Sequence, residues 1–240
     1  MNIYRHTVAC ATLLLVLFHV NSSMAEKLRP ANAAEDRAIT RYNAVMTHLL
    51  DQFLTGDWEE NEGDRYTFDG VLVNSESDRP LDVNCLLERT YTVRTNSERF
   101  NKILAPLMEK LEQEPTPEGK QKIGRQLQAL MHLKVSVHFN RTNVSLDPGP
   151  KPDSYLGISG IDRTYKTNDA SQGEGSAYVL LFGNWQNAKW MANDGWLRFA
   201  HPNGTPYIEN IEIRLYGADD RIQELLHSID WKQVNEAMTR

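Results

Sequence analysis

Cysteine is nearly absent: the 240 residues include two. Cys10 falls within the first 25 residues, and Cys85 is left alone in the rest. One thiol cannot close an intramolecular disulfide, so a disulfide-stapled scaffold is excluded. The apolar context V-N-C-L-L marks Cys85 as a buried, inert thiol.

Long apolar runs are missing with one exception. Residues 8–20, VACATLLLVLFHV, form a run of thirteen that follows a short segment with one Arg and no acid. Ser23 and Ala25 stand where a signal peptidase needs small residues, so residues 1–25 are expected to be a signal peptide cleaved after Ala25. The run is too short to span a bilayer, which takes about 20 apolar residues. Cys10 precedes most of the run, whereas a lipidated cysteine would follow it. The remainder has no second candidate, and the expected destination is the periplasm.

An excess of positive charge is also missing. Lys and Arg number 26 against 32 acids, a formal net charge of −6. That balance argues against nucleic acid or anionic lipid as the main partner.

Catalytic signatures are lacking too. There is no H-E-x-x-H, and no two histidines stand at the i,i+4 spacing that would place both on one helical face. G-I-S-G at 157–160 has Ile161 where a nucleophile elbow needs glycine. Q-G-E-G-S lacks the lysine and spaced glycines of a phosphate loop. The acids of D-P-G-P-K-P-D lack calcium-loop spacing. No catalytic residue, metal ligand or cofactor is assigned. The alternative is a cell-envelope glycan hydrolase that pairs Asp162, Asp169 or Glu174 of the 147–175 segment as acid and base.

What is present is patterning. Residues 33–54 repeat apolar side chains at helical spacing, from Ala38 and Tyr42 to Phe53 and Leu54. Two β-rich runs follow, RYTFDGVLV and LLERTYTVR. Asn96 or Ser97 caps a second helix, and Thr116 with Pro117 starts a third that reaches about Leu133. KVSVHFN alternates, with Val135, Val137 and Phe139 on one face. The Gly/Pro-rich 147–175 segment is a loop or lobe boundary around one short strand. SAYVLLFG is a strand buried on both faces, and in YIENIEIRLY residues Ile211, Ile213 and Leu215 point inward. Asp219 or Asp220 caps the next helix, and a short one begins near Trp231. This pattern predicts an α+β fold, an antiparallel sheet of hairpins with three to four helices on one side. Its parts are a helix-rich portion at 26–146, the segment 147–175, and hairpin strands with a C-terminal helix at 176–240; 26–240 can form one domain.

The stretch FGNWQNAKWMANDGWLRF concentrates three of the five tryptophans. With Asp194-Gly195 as a two-residue hairpin loop, Trp190 pairs with Phe199 on an apolar side. Trp196 then stands with Lys189, Met191 and Arg198 on a polar side. A large aromatic beside cations suits a partner's interface or an envelope ligand. The expected binding residues are Trp196 and Trp185 for contact area, Arg198 as charged anchor and His201 as hydrogen-bonding rim. The implied function is non-catalytic binding, of an inhibitor or immunity type.

Overall fold

The structure, a computed structural model, describes residues 28–54, 56–61, 72–74, 79–82, 87–146, 149, 154–167 and 175–238. The fold is α+β. Its strands are β1 (Leu28–Pro30), β2 (Trp58–Glu60), β3 (Leu72–Asn74), β4 (Leu87–Val93), β5 (His132–Phe139) and β6 (Asn143–Ser145), then β7 (Arg163–Thr167), β8 (Ser176–Gly183), β9 (Lys189–Met191), β10 (Asp194–Trp196) and β11 (Asn210–Gly217). A six-stranded antiparallel sheet runs β2-β4-β5-β11-β8-β7, a three-stranded one β6-β10-β9, and β1 pairs with β3. The 147–175 segment carries β7 and leads from β6 of the three-stranded sheet to β8 of the six-stranded one.

Helix α1 (Ala33–Asp51) starts where Asn32 accepts the amides of Ala34 and Glu35, while the Glu35 carboxylate accepts the Asn32 amide at 2.8 Å. Reciprocal capping of this kind here satisfies three of the backbone donors orphaned at a helix start. Arg29 then clamps the same carboxylate through two hydrogen bonds of 2.6 Å. The apolar stripe of α1 (Ala38, Ile39, Tyr42, Met46, Leu49 and Leu50) is buried. It packs in one cluster with Leu133, Val135 and Val137 of β5 and Ile211, Ile213 and Leu215 of β11. Tyr91 of β4 donates its hydroxyl to the Leu50 carbonyl at 2.9 Å and stacks on Phe53, centroids 5.5 Å apart.

The second helix departs from its sequence expectation. Ser97 Oγ does accept the Phe100 amide, at 3.1 Å. The chain then makes a π-helical turn over Phe100–Leu104 before α2 (Ala105–Gln113). Helix α3 (Pro117–Met131) begins as expected: Thr116 accepts the Gly119 amide and proline occupies the first turn, where its missing N–H is harmless. At α4 (Asp219–Ser228) the expected cap is corrected. Ala218 holds the cap position with no side-chain bond, and both aspartates lie in the first turn. Asp219 is held by Lys166 at 2.6 Å, and Asp220 by Arg99 at 2.7 and 3.0 Å. Both side chains are thus engaged in ion pairs from within the first turn and not from the cap position. Helix α5 (Lys232–Met238) closes the chain.

The helices cover one face of the six-stranded sheet. On the opposite face, at the β8–β7 end, the small sheet packs against Tyr165, Val179 and Leu181 through Val144, Leu146, Trp185 and Leu197. Strand β8 is thus buried on both faces, as its unbroken apolar run predicts. Of the run RYTFDGVLV, only Leu72 and Val73 lie within the described residues, in β3. Cys85, Asp169, Glu174 and residues 1–27 lie outside them. Among the described residues no helix is long and apolar enough to cross a membrane.

Candidate functional site

The small sheet places the tryptophan-rich stretch. Gly183 turns the chain at φ +91°, and Asn184–Asn187 forms a 3-10 turn. Lys189↔Trp196, Trp190↔Gly195 and Met191↔Asp194 are the hairpin pairs. The loop is therefore Ala192-Asn193, with Ala192 at φ +52°, and not Asp194-Gly195. The physical reason is the Trp190 ring. A Cβ on Gly195 would lie 2.9 Å from two carbons of that ring and 3.0 Å from a third, so only glycine seats it. The Asp-Gly pair that looks like a turn is strand. Because the loop has moved by a whole pair, the alternation of faces survives. Trp190 still points inward, 6.0 Å from the Tyr165 ring, and Trp196 outward.

Trp196 is 49% exposed and Met191 61%. Among the described residues no large apolar side chain is more exposed than Met191, and only Tyr155 matches Trp196. Lys189 stands directly across from Trp196, and Asn143 of β6 flanks its other side. Arg198 is exposed as well. Trp185 does not join them. It is fully buried between the two sheets, because the 3-10 turn folds its side chain under β6 and β10. It supports the outward face from behind and offers a partner no area.

His201 belongs to a different place. Its ring stacks on Tyr207 at 3.9 Å, and its Nδ1 lies 2.9 Å from Glu209 Oε1. Glu209 also accepts the amides of Ala200 and His201, at 2.8 and 2.5 Å, so the imidazole is fixed against a carboxylate. This assembly borders a cleft of about 530 Å³ that Asp162, Ile208, Asn235 and Met238 also line. Asp162 accepts the Gly183 amide, and burial pushes its carboxyl above the usual range. Of the three loop acids singled out in the sequence, it is the one within the described residues. Among those residues no cluster of three or more His, Cys, Asp or Glu is arranged to hold a metal ion.

A third feature has no counterpart in the sequence reading. Beyond the small sheet, the non-helical face of β4, β5 and β11 carries polar side chains in register. One row runs Glu88–Ser136–Arg214, the next Thr90–Lys134–Tyr216, and His138 pairs with Glu212. Glu212 is fully buried, held by Arg214 Nε at 2.5 Å and Arg141 Nε at 3.3 Å. A carboxylate out of water is tolerable only when paired in this way. Lys134 pairs with Glu88 at 3.2 Å. Burial is the main cause that lowers the pKa of His138, with Arg141 and Arg214 adding to it against the pull of Glu212. The strand run I-E-I-R-L already carried the signal: alternation puts Glu212 and Arg214 together on the face opposite the isoleucines.

No protein-family model, curated protein or solved structure matches the chain.

Proposed function

We propose that this protein is a secreted, periplasmic, non-catalytic binding protein of inhibitor or immunity type. It engages a protein partner through the outward face of the small sheet. The observation that carries the reading is the joint exposure of Trp196 and Met191 on a sheet anchored from behind by Trp185 and Trp190. A tryptophan held on a rigid backbone contributes large contact area with little ordering cost on binding. Lys189 and Arg198 make no ion pair among the described residues and add unpaired cations beside it. Aromatic area next to free cations suits an acidic protein surface.

The test is capture from envelope extracts with the purified protein, compared with Trp196→Ala and Arg198→Ala. A partner retained by the parent and lost by Trp196→Ala supports the reading. Identical captures by all three overturn it. A second reading, an envelope glycan hydrolase, is favoured by the raised carboxyl of Asp162 in the cleft beside His201 and Glu209. A carboxyl whose pKa burial raises is better suited to general-acid work than a solvated one. Cleavage of envelope glycans by the parent, abolished in Asp162→Asn, would replace the first reading with the second.

A further inference from the structure

We infer that the polar face of the six-stranded sheet carries a binding site for a small oxyanion, a phosphate- or carboxylate-class group held by Arg214, Ser136 and Lys134. The site is a depression of about 160 Å³ whose rim and floor include these three side chains with Glu88 and Tyr216. It lies apart from the Trp196 face and does not depend on the reading given to that face.

The electrostatics follow from the pairing. Glu212 could be neutralised by a single guanidinium, yet two converge on it. Two guanidinium groups share this one carboxylate, Arg214 at 2.5 Å and Arg141 at 3.3 Å, so the three side chains together keep one positive charge. Likewise Glu88 is offset by Lys134. The cluster of Arg141, Arg214, Lys134, Glu212 and Glu88 is left with one positive charge in excess.

The geometry localises that charge. Arg214 spends its Nε on Glu212, and its Nη2 reaches the Ser145 carbonyl at 3.3 Å. Among the described residues its Nη1 has no partner. A guanidinium locked at two points by a buried carboxylate and a backbone carbonyl presents its remaining N–H groups without further ordering cost, the arrangement that suits carboxylate and phosphate oxygens. Ser136 sits directly across from Arg214 in the β5–β11 register, and its hydroxyl makes no hydrogen bond among the described residues. Lys134 stands one row along on the same face. The small size of the depression excludes an extended chain and admits a single anionic group.

The experiment is calorimetric titration of the purified protein with inorganic phosphate and with acetate, at constant ionic strength set by chloride. Saturable binding of either anion is expected. Arg214→Gln should weaken it at least tenfold and Ser136→Ala about threefold. Binding of phosphate alone assigns a phosphate group, and binding of acetate alone a carboxylate. Because Arg214 also braces Ser145, its variant can fail to fold. Ser136→Ala and Lys134→Gln, which remove no buried contact, then decide the matter. No saturable binding of either anion, or unchanged affinity in the Ser136 and Lys134 variants, overturns the site.

Discussion

Gly195→Ala tests the hairpin register and the seat of Trp190 together. The added methyl would lie 2.9, 2.9 and 3.0 Å from three ring carbons of Trp190, against an ordinary contact of 3.4 Å or more. The ring must retreat by roughly half an ångström. It is backed by Tyr165, which itself meets Tyr155 edge-on at 6.4 Å. Overpacking of this kind costs about 1–3 kcal/mol. Gly195 is not among the positive-φ glycines, so the backbone accepts alanine and the lost freedom of the unfolded chain returns about 0.4–1 kcal/mol. The net expectation is a loss of about 1–2 kcal/mol, a fall of roughly 2–8 °C in Tm for a domain of this size.

The decisive comparison is Gly195→Ala in a Trp190→Leu background. With the ring gone the methyl has space, and the substitution becomes neutral or slightly stabilising, which gives a coupling of about 1–2 kcal/mol in the double-mutant cycle. Urea titrations of the four proteins by circular dichroism supply the numbers. If Gly195 were instead a turn residue at positive φ, alanine would be as costly without Trp190 as with it. Additive effects in the cycle would refute the register.

Two further outcomes follow from burial. Of the five tryptophans, Trp58, Trp185 and Trp231 are buried, so Trp196→Phe should remove most of the iodide-quenchable, red-shifted emission; an unchanged quenchable fraction would place Trp196 in the interior. Stability should also decline as pH falls from 7 towards 5. The pKa values of His132 and His138 are lowered in the fold by burial, so the unfolded chain takes up protons first as pH drops through its value of about 6.5. This loss ends once the folded values are passed. Glu35, Asp219 and Asp220, held low by their partners, lose their contribution only as pH falls below about 4. Asp162 has the opposite sign, its contribution full in acid and lost as pH rises through its raised value. His138→Gln should therefore flatten the slope between pH 7 and 5; an unaltered slope removes His138 as its source.

How much of the fold was legible depends on how local its cause is. Helix α1, strand β5 and the doubly buried β8 were plain from periodicity, because each buries a face or faces that the sequence repeats. The π-helical turn at Phe100–Leu104 was not, since it changes the winding within one unbroken apolar pattern. The cap of α4 was missed for a different reason. Asp219 and Asp220 are good caps in isolation, and the partners they pair with in the fold, Lys166 and Arg99, are 53 and 121 residues distant in the chain.

The same distinction separates the two surfaces. Trp196 could be placed outward from the sequence even though the assumed loop was wrong, because a shift by a whole pair preserves alternation. Trp185 could not be placed, because its direction is set by the turn after Gly183 and by packing between two sheets that no local pattern specifies. The Arg214 depression lay further still from view. Glu212 and Arg214 announce themselves as neighbours on one strand face, but Ser136, Lys134 and Glu88 reach them only through the pairing of β4, β5 and β11. Buried charge then reports what alternation alone leaves open. Glu212 has no exposure and two guanidinium partners, and the second of these exceeds what neutrality needs. An excess cation braced at two points beside an unpartnered hydroxyl is an arrangement that a solvated surface pair does not require, and the anion titration addresses that excess directly.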